Sequence, residues 1–327
     1  MVHTEETLAR LAAIPDLTVL SGALLSRYTR FAIGGPADLY AETSSAEAFI
    51  AALHVARESG ELYVVIGGGT NLIVSDEGFR GIVLRFTARL ILAAGDRVVA
   101  DSGAVLQDLV DFTVERGLKG LETLAGIPGS VGAAIYGNAG AYGHSISERV
   151  RTVRFYDGRD VRVFDGDACE FHYRESIFKR HKEWIIFSTE LVLEQADASA
   201  LRKISSDIVK VRSEKFPVTM KCAGSIFKNL LLADLPDGVA ERVPARVIRE
   251  GKVPAAYFLE EVGAKGMTRG DIHVATYHAN LIYNGGAGTA ADLRAVIADL
   301  KARVREKFSL TLEEEVQYVG FPDAALP

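Results

Sequence analysis

Cysteine is scarce in this chain. Its 327 residues include two, Cys169 and Cys222, with no Cys-x-x-Cys neighbour and no histidine at metal-ligand spacing. That argues against a disulfide framework and against a zinc site, so no metal is expected and a reducing compartment is the natural setting. Long apolar runs are missing too. No stretch reaches the roughly 18 apolar residues that a membrane span requires. The opening Met-Val-His-Thr-Glu-Glu has neither the basic nor the apolar region of a secretory signal, so the cytoplasm is expected. Positive charge is not in excess: 37 Lys and Arg stand against 43 Asp and Glu, a net of −6. Wholesale nucleic-acid binding is therefore disfavoured, although a local basic site is not. There is no tandem repeat and no low-complexity tract. The length suffices for two or three domains.

Glycine is plentiful instead, with 31 residues. The densest stretch runs from Gly126 to Gly143, with Gly129, Gly132, Gly137 and Gly140 between. Glycine costs backbone entropy, so such density needs a reason. Either the backbone turns through positive φ, or something approaches the main chain closely. Bare N–H groups in consecutive turns form a concave donor surface suited to a phosphate or diphosphate. A small-residue turn between packed elements is the plain alternative.

A second cluster, Gly67-Gly68-Gly69-Thr70-Asn71, follows a predicted strand at 62–66. A Rossmann reading fails here. That fingerprint needs a third glycine three residues on and then a helix. The position holds Leu72, and Leu72-Ile73-Val74 reads as another strand. No helix N-terminus faces a phosphate, but a nest of main-chain N–H groups remains possible.

Around these loops the chain alternates between strand and helix patterns. Ser44 and Glu47 have capping-box spacing ahead of a Phe49, Ile50, Leu53 stripe that Gly60 ends. Strands are predicted at 81–85 and 97–100, then a helix at 105–116 with Leu106, Leu109, Val110 and Val114 inward. Further strands are predicted at 150–156, 160–164 and 184–193. Residues 201–228 hold seven Lys and Arg against two acids, +5 in a chain of net −6. Their stripe of Leu201, Ile204, Ile208 and Val211 leaves the cations on the other face, either as a solvated surface or as a site for an anion. A helix is predicted at 254–262. Thr289 and Asp292 then cap a long helix with a Leu293, Val296, Ile297, Leu300, Val304 stripe, and 310–319 reads as a final strand.

Taken in order, these segments resemble one family, the UDP-N-acetylenolpyruvoylglucosamine reductases (MurB) of peptidoglycan precursor synthesis. The matching pieces are residues 28–40, 64–81, 120–143, 173–178, 224–229, 263–284 and 312–320, nearly the whole chain. Any one glycine loop is weak evidence, whereas the ordered set is specific. The resemblance implies an α+β protein with a two-lobed non-Rossmann FAD-binding fold of the vanillyl-alcohol-oxidase type. A C-terminal α/β domain would bind the UDP-sugar. The expected units are residues 1–75 and 76–196 for the two lobes and 197–327 for the substrate domain, with 310–320 returning to the active site. FAD would be held by Gly67, Gly68, Gly69, Thr70, Asn71 and Leu72, and by Gly126, Ile127, Pro128, Gly129, Ser130 and Gly132. Asn138 and Gly140 would continue that site towards the flavin ring. Neither loop contains a His or Cys before His144, which argues for non-covalent FAD.

Three residues carry the chemistry by motif. Tyr173-Arg174-Glu175-Ser176 matches the family's Tyr-Arg-Asp-Ser and puts its active-site arginine at Arg174. Gly224-Ser225-Ile226-Phe227-Lys228-Asn229 matches Gly-Ser-Phe-Phe-Lys-Asn and puts the proton donor at Ser225. Glu315-Val316 matches the C-terminal Glu-Val and puts the glutamate at Glu315. Without the resemblance these would read as a surface ion pair, a turn hydroxyl and a solvated acidic run. The implied reaction has NADPH reduce the flavin, which then passes a hydride to the enolpyruvyl double bond while Ser225 delivers the proton. Arg174 and a protonated Glu315 would hold the substrate carboxylate. Lys215 and Asn229 match UDP-sugar contacts. Arg212 is a further candidate for the diphosphate or the nicotinamide nucleotide, and Tyr142 and Asn71 are expected to line the site. A monomer acting on small molecules is expected, without nucleic acid or membrane.

Departures from the family pattern are local. The type I insertion after Tyr-Arg is missing, so the chain looks like type II. Residues 230–252 are longer than many type II members have and receive no role. Asp271 stands where a second glycine is common, and Tyr277 where lysine is common. Two rivals stay open: another flavin oxidoreductase of the same fold, and a non-catalytic UDP-sugar or nucleotide sensor. The sensor would need the glycine loops but not Arg174, Ser225 and Glu315 together.

Overall fold

The computed structural model describes residues 2–322. The first unit is built on a four-stranded sheet in the order Thr18–Ser21, Ala37–Thr43, Phe79–Phe86, Tyr63–Ile66. The first pairing is antiparallel and the other two are parallel. Six of the eight residues of Phe79–Phe86 are buried, because both of its faces are covered. The helix Ala46–Ser59 lies on one face, with Phe49, Ala52, Leu53 and Ala56 against Leu39, Ala41, Ile82 and Leu84. Its N-cap is Ser45, whose hydroxyl accepts from Ala48 N at 3.2 Å, one residue later than the Ser44 spacing suggested. Ser45 is the residue with extended φ and ψ, and a cap needs that geometry. Gly60 ends the helix at φ 70°. The 75/76 division falls inside this unit, since Phe79–Phe86 pairs with strands on its other side.

The second unit is a five-stranded antiparallel sheet, ordered Val161–Asp165, Val150–Tyr156, Ile185–Val192, Arg97–Asp101, Ile91–Ala94. The helix Leu106–Glu115 buries its predicted stripe against it. Ile185–Val192 alternates buried and half-buried residues along its whole length. Phe187 on this strand meets Phe86 and Phe49 at ring-centroid distances of 5.0 and 6.1 Å, which welds the two units. Cys169 is buried here, and burial pushes its thiol up to about 12. Cys222 is buried in the C-terminal core, so both cysteines act as small apolar residues.

The glycine-rich stretch contains an element that its composition hid. Val131–Tyr136 is a short helix capped by Ser130, whose hydroxyl accepts from Ala133 N at 3.3 Å. Gly132 lies inside it, where an added Cβ would come within 2.7 Å of Ser102 Cβ. Close packing, not a turn, demands glycine there.

The C-terminal unit pairs Thr268–Arg269, Ile272–Val274 and Ile282–Asn284 under the long helix Ala290–Phe308. All five stripe residues of that helix are buried. Thr289 caps it, and Asp76 of the first unit accepts from Ala290 N and Ala291 N at 2.8 and 3.0 Å. The predicted strand at 310–319 is shorter than expected. Only Gln317–Val319 forms a strand, parallel to Leu72–Val74. Before it, residues 313–315 pair with the 226–228 loop: Lys228 N donates to Glu313 O at 2.9 Å and Glu315 N to Ile226 O at 2.8 Å. The acidic run is thus paired backbone within the C-terminal unit, which its charge did not suggest.

The basic helix runs Ala198–Lys215. Leu201 and Ser205 are its buried positions, whereas Ile204 and Val211 are exposed. The predicted stripe is therefore narrower than its sequence, and the far end of the helix faces a cavity instead of the core.

Candidate active site

A cavity of about 1200 Å³ opens where the three units meet. Its floor comes from the two glycine loops. Gly69 has φ 67°, and an added Cβ would strike the Tyr28 carbonyl at 1.7 Å, so only glycine lets this loop turn. Gly68 and Gly129 face open space: an added Cβ at Gly68 would meet nothing closer than 3.6 Å, and one at Gly129 only Thr70 Oγ1 at 3.2 Å. The N–H groups of Gly68, Gly69, Thr70, Gly129 and Ser130 donate to no acceptor among the described residues. Buried or half-buried donors need partners. A concave set of free donors with room above it fits the diphosphate of a dinucleotide.

Gly126 does not line this cavity. Its N–H is spent on Gln107 Oε1 at 2.6 Å, and its Cα backs onto the Arg212 side chain. Among the expected cofactor residues it supports a neighbour. Asn138 lines the cavity at φ 42°, but its amide is also engaged, donating to His172 O at 2.8 Å and accepting from Ser147 N at 3.4 Å.

That bond to His172 holds the turn carrying Arg174. His172 and Glu175 exchange both backbone hydrogen bonds, at 3.0 and 3.1 Å. Arg174 sits within the turn at φ 58°. Its Nη2 donates to Gly140 O at 3.0 Å, and its Nε lies 3.4 Å from Glu315 Oε1. Glu315 is fixed from both sides: its N–H goes to Ile226 O, and its carbonyl accepts from Asn71 Nδ2 at 2.6 Å. Asn71 therefore ties a glycine loop to the chemical end of the site. Desolvation raises the Glu315 carboxyl pKa, outweighing the opposing pull of Arg174, Lys179 and Lys228. Glu315 therefore keeps its proton to higher pH than a free glutamate does.

Ser225 lines the same cavity, in a loop that bridges Leu281 on one side while its Phe227 bridges Glu314 on the other. Its hydroxyl has no protein partner among the described residues. The loop is positioned by a residue the sequence reading missed. Asn280, 2% exposed, accepts from Ile226 N and Phe227 N at 3.1 and 2.9 Å and donates to Phe227 O at 2.9 Å. Lys228, within the same motif, joins this loop to the turn carrying Arg174. It bonds Glu175 at 2.9 Å and also Glu313, and Lys179 reaches Glu175 at 3.3 Å and Arg174 O at 2.7 Å. Burial lowers the Lys228 ammonium pKa, but the hydrogen bonds it donates to Glu313 and Glu175 outweigh that and leave it raised.

Arg212 and Lys215 enter from the end of the basic helix. Neither has a carboxylate within 4 Å among the described residues, and Arg212 Nε is buried without a partner. Desolvation lowers the pKa of both. Burial, with Lys215 and Lys265 nearby, pushes His278 down to about 4, so its ring stays neutral beside them. Tyr277 donates to Lys215 O at 2.9 Å, and Asp271 braces the next turn through Ala287 N at 2.8 Å. Both departures from the family pattern thus support local backbone. Asn229 lines the cavity with its Oδ1 near Ala255 N at 3.3 Å, and Tyr142 stands 53% exposed at its rim. Of the residues expected from the sequence, all but Gly126 line this one space.

The comparisons with known proteins agree along the chain. Residues 37–164 match a family model described as FAD binding domain, and residues 216–319 match UDP-N-acetylenolpyruvoylglucosamine reductase, C-terminal domain. The UDP-N-acetylenolpyruvoylglucosamine reductase of Solibacter usitatus is 68% identical over 311 residues, covering 95% of this chain and 100% of that protein. The chain belongs to the UDP-N-acetylenolpyruvoylglucosamine reductase family. The Rubrobacter xylanophilus reductase is 38% identical over 304 residues, covering 91% of this chain and 94% of its own. The crystal structure of the reductase from Thermus caldophilus superposes with a TM-score of 0.71 at 27% identity, covering 93% of this chain and 98% of that one. Both glycine loops lie in the first matched segment and Ser225 and Glu315 in the second, whereas Arg174, Arg212 and Lys215 lie between the two. Among the described residues no helix is long and apolar enough to cross a membrane.

Proposed function

We infer that this protein reduces the enolpyruvyl double bond of UDP-N-acetylglucosamine enolpyruvate to give UDP-N-acetylmuramate, with non-covalent FAD and with NADPH as co-substrate. The observation that carries the assignment of roles is the convergence of Arg174, Glu315 and Ser225 opposite a cradle of free N–H groups. Gly67 to Leu72 and Ile127 to Ser130 would hold FAD. When bound, FAD supplies hydride chemistry, accepting two electrons from NADPH and passing them to the substrate.

The protein's own residues handle charge and protons. Arg174 and Glu315 bind the substrate carboxylate, Arg174 as cation and Glu315 as hydrogen-bond donor. A protonated Glu315 avoids repulsion between two carboxylates, and its raised pKa supports that state. Negative charge spreading into the substrate carboxylate during reduction is stabilised by these fixed donors, worth about 3–4 kcal/mol each in comparable sites. Ser225 gives its proton to the neighbouring carbon. Its poor acidity is offset by the positive field of Arg174, Lys228 and Lys179. Lys215, Arg212, Asn229 and Tyr142 serve the nucleotide and its phosphates. We assign three units to this work: two FAD-binding lobes within residues 1–196, and a substrate domain from 197 onward.

Rapid mixing decides the reading. NADPH should bleach the flavin band, and the enolpyruvyl substrate should restore it. Bleaching without recovery would remove the reductase reading and favour another oxidoreductase of this fold. No bleaching would favour a sensor.

A further inference from the structure

Residues 230–252 end in a feature their sequence did not announce. Arg249 and Lys252 flank a two-residue turn and exchange both backbone hydrogen bonds at 2.9 Å. Glu250 and Gly251 between them lie at φ 51° and 71°, the left-handed pair of a tight hairpin turn. Residues directly opposite in such a ribbon project from the same face, and like charges there destabilise it. Arg249 and Lys252 nevertheless occupy these positions and both line the cavity.

Nothing among the described residues neutralises them. Neither has a carboxylate within 4 Å among the described residues, and Glu250 in the turn has no cation within that distance. Glu250 instead leans on the opposite wall, where a Cβ added to Gly143 would lie 2.9 Å from its Oε1. Lys252 Nζ rests 4.4 Å from the centre of the Tyr173 ring, which fixes the ammonium without discharging it. The contrast with the rest of the cavity is sharp. Arg174, Lys179 and Lys228 all have carboxylate partners, whereas Arg212, Lys215, Arg249 and Lys252 have none among the described residues. The paired set shapes the chemical end. The unpaired set enters the cavity from two segments, the end of the basic helix and the hairpin.

We propose that Arg249 and Lys252 form a clamp for a nucleotide phosphate, in the same cavity as Arg212 and Lys215. The proposal rests on the reductase reading, which brings two phosphorylated nucleotides to this cavity. Either the UDP-sugar or the nicotinamide nucleotide can supply the anion, and the clamp acts on binding, not on the chemical step. The charge repulsion across the hairpin is relieved when the phosphate arrives, so the site is built in advance of its ligand.

The test uses FAD-loaded protein carrying Lys252→Ala, Lys252→Arg, or Arg249→Ala with Lys252→Ala. Calorimetric titration with UDP and, separately, NADP+ reads binding without turnover. The double variant should weaken at least one of them by about tenfold or more, the size expected for lost charge-assisted contacts. The nucleotide that weakens identifies the source. Its affinity should also become less sensitive to salt, and Lys252→Arg should stay near the wild type. Limiting rates of flavin bleaching and recovery at saturating ligand should stay within about twofold, because the clamp acts on affinity. Unchanged affinity for both nucleotides would overturn the clamp. So would a loss that Lys252→Arg fails to restore, since packing on Tyr173 would then be its role. Failure of the reductase reading would show separately, as wild-type flavin that substrate does not reoxidise.

Discussion

Replacing Asn280 by alanine tests whether the loop carrying Ser225, the proton donor we propose, is positioned by one buried amide. Asn280 is joined to the 226–227 backbone by three side-chain hydrogen bonds, and it is 54 residues from Ile226 in sequence. Ile226 N keeps a second acceptor in the Asn280 carbonyl at 3.1 Å. Phe227 N and Phe227 O have no such alternative and would be left buried and unsatisfied. At about 1–3 kcal/mol for each orphaned group, the loss is about 2–6 kcal/mol, unless the loop moves to find water. Movement is the informative outcome, because Ser225 is joined to this loop. Displacement of a reacting group by about 1 Å can slow a reaction about 100-fold. Asn280→Ala should therefore lower urea stability by at least about 2 kcal/mol. It should also slow flavin recovery by substrate about 100-fold, with flavin bleaching by NADPH little changed. Asn280→Asp sharpens the case. It keeps the acceptor, loses the donor to Phe227 O and buries a charge, so its folded pKa rises above the unfolded value. Stability of that variant is then retained at low pH and lost as pH rises through the folded pKa. A stable Asn280→Ala protein with normal recovery would refute the reasoning.

Three further outcomes follow from the same geometry. Ser225→Ala should leave bleaching by NADPH near normal and slow recovery by orders of magnitude; collapse of bleaching instead would show Ser225 misassigned. Glu315→Gln should stabilise the fold at pH 8 and make little difference near pH 4: the raised native pKa of Glu315 means its stability falls as pH rises from the ordinary carboxylate value through the folded one, and glutamine removes that loss. Thermal melts of both proteins across this range check the sign, and a gap that widens at low pH would contradict it. Gly129→Val places a branched side chain at φ 134°, against Thr70 Oγ1, in the cradle of free N–H groups. The purified protein should lose its flavin before its fold, and a flavin-replete Gly129→Val protein would sink the cradle.

What could be read from the sequence was what repeats or what a motif fixes. The Ala290–Phe308 helix was legible because its five apolar residues fall at helical spacing and all meet the core. The short helix Val131–Tyr136 was not. It begins with a Gly-rich run, and its stability comes from the Ser130 cap and from packing on Ser102, which are tertiary facts. The basic helix misled for a related reason. Ile204 and Val211 fit its period, yet only Leu201 and Ser205 are buried, because the end of the helix is committed to the cavity. Arg174, Ser225 and Glu315 were found through motifs, but their supports were not. Asn280, and the Glu175–Lys228 pair 53 residues apart, bring together positions that no local pattern connects.

Backbone conformation shows where the fold accepts cost for function. Eight described residues other than glycine have positive φ, and four of them, Asn138, Tyr142, Arg174 and Glu250, line the cavity. A left-handed residue with a side chain costs about 1–2 kcal/mol, so glycine would be the easier choice at each. Gly69 shows the opposite case, where a Cβ would collide with the Tyr28 carbonyl and no side chain is possible. At Arg174 the side chain is the reason for the strain. The turn aims the guanidinium at Gly140 O and Glu315, and the Lys179 ammonium on the Arg174 carbonyl holds the turn in place. Relaxing it to an ordinary φ would turn the guanidinium away from Glu315 and leave that carboxyl buried without its cation. The strain is thus located where a fixed charge faces the Glu315 carboxyl in the cavity, and the surrounding hydrogen bonds are what keep it from relaxing.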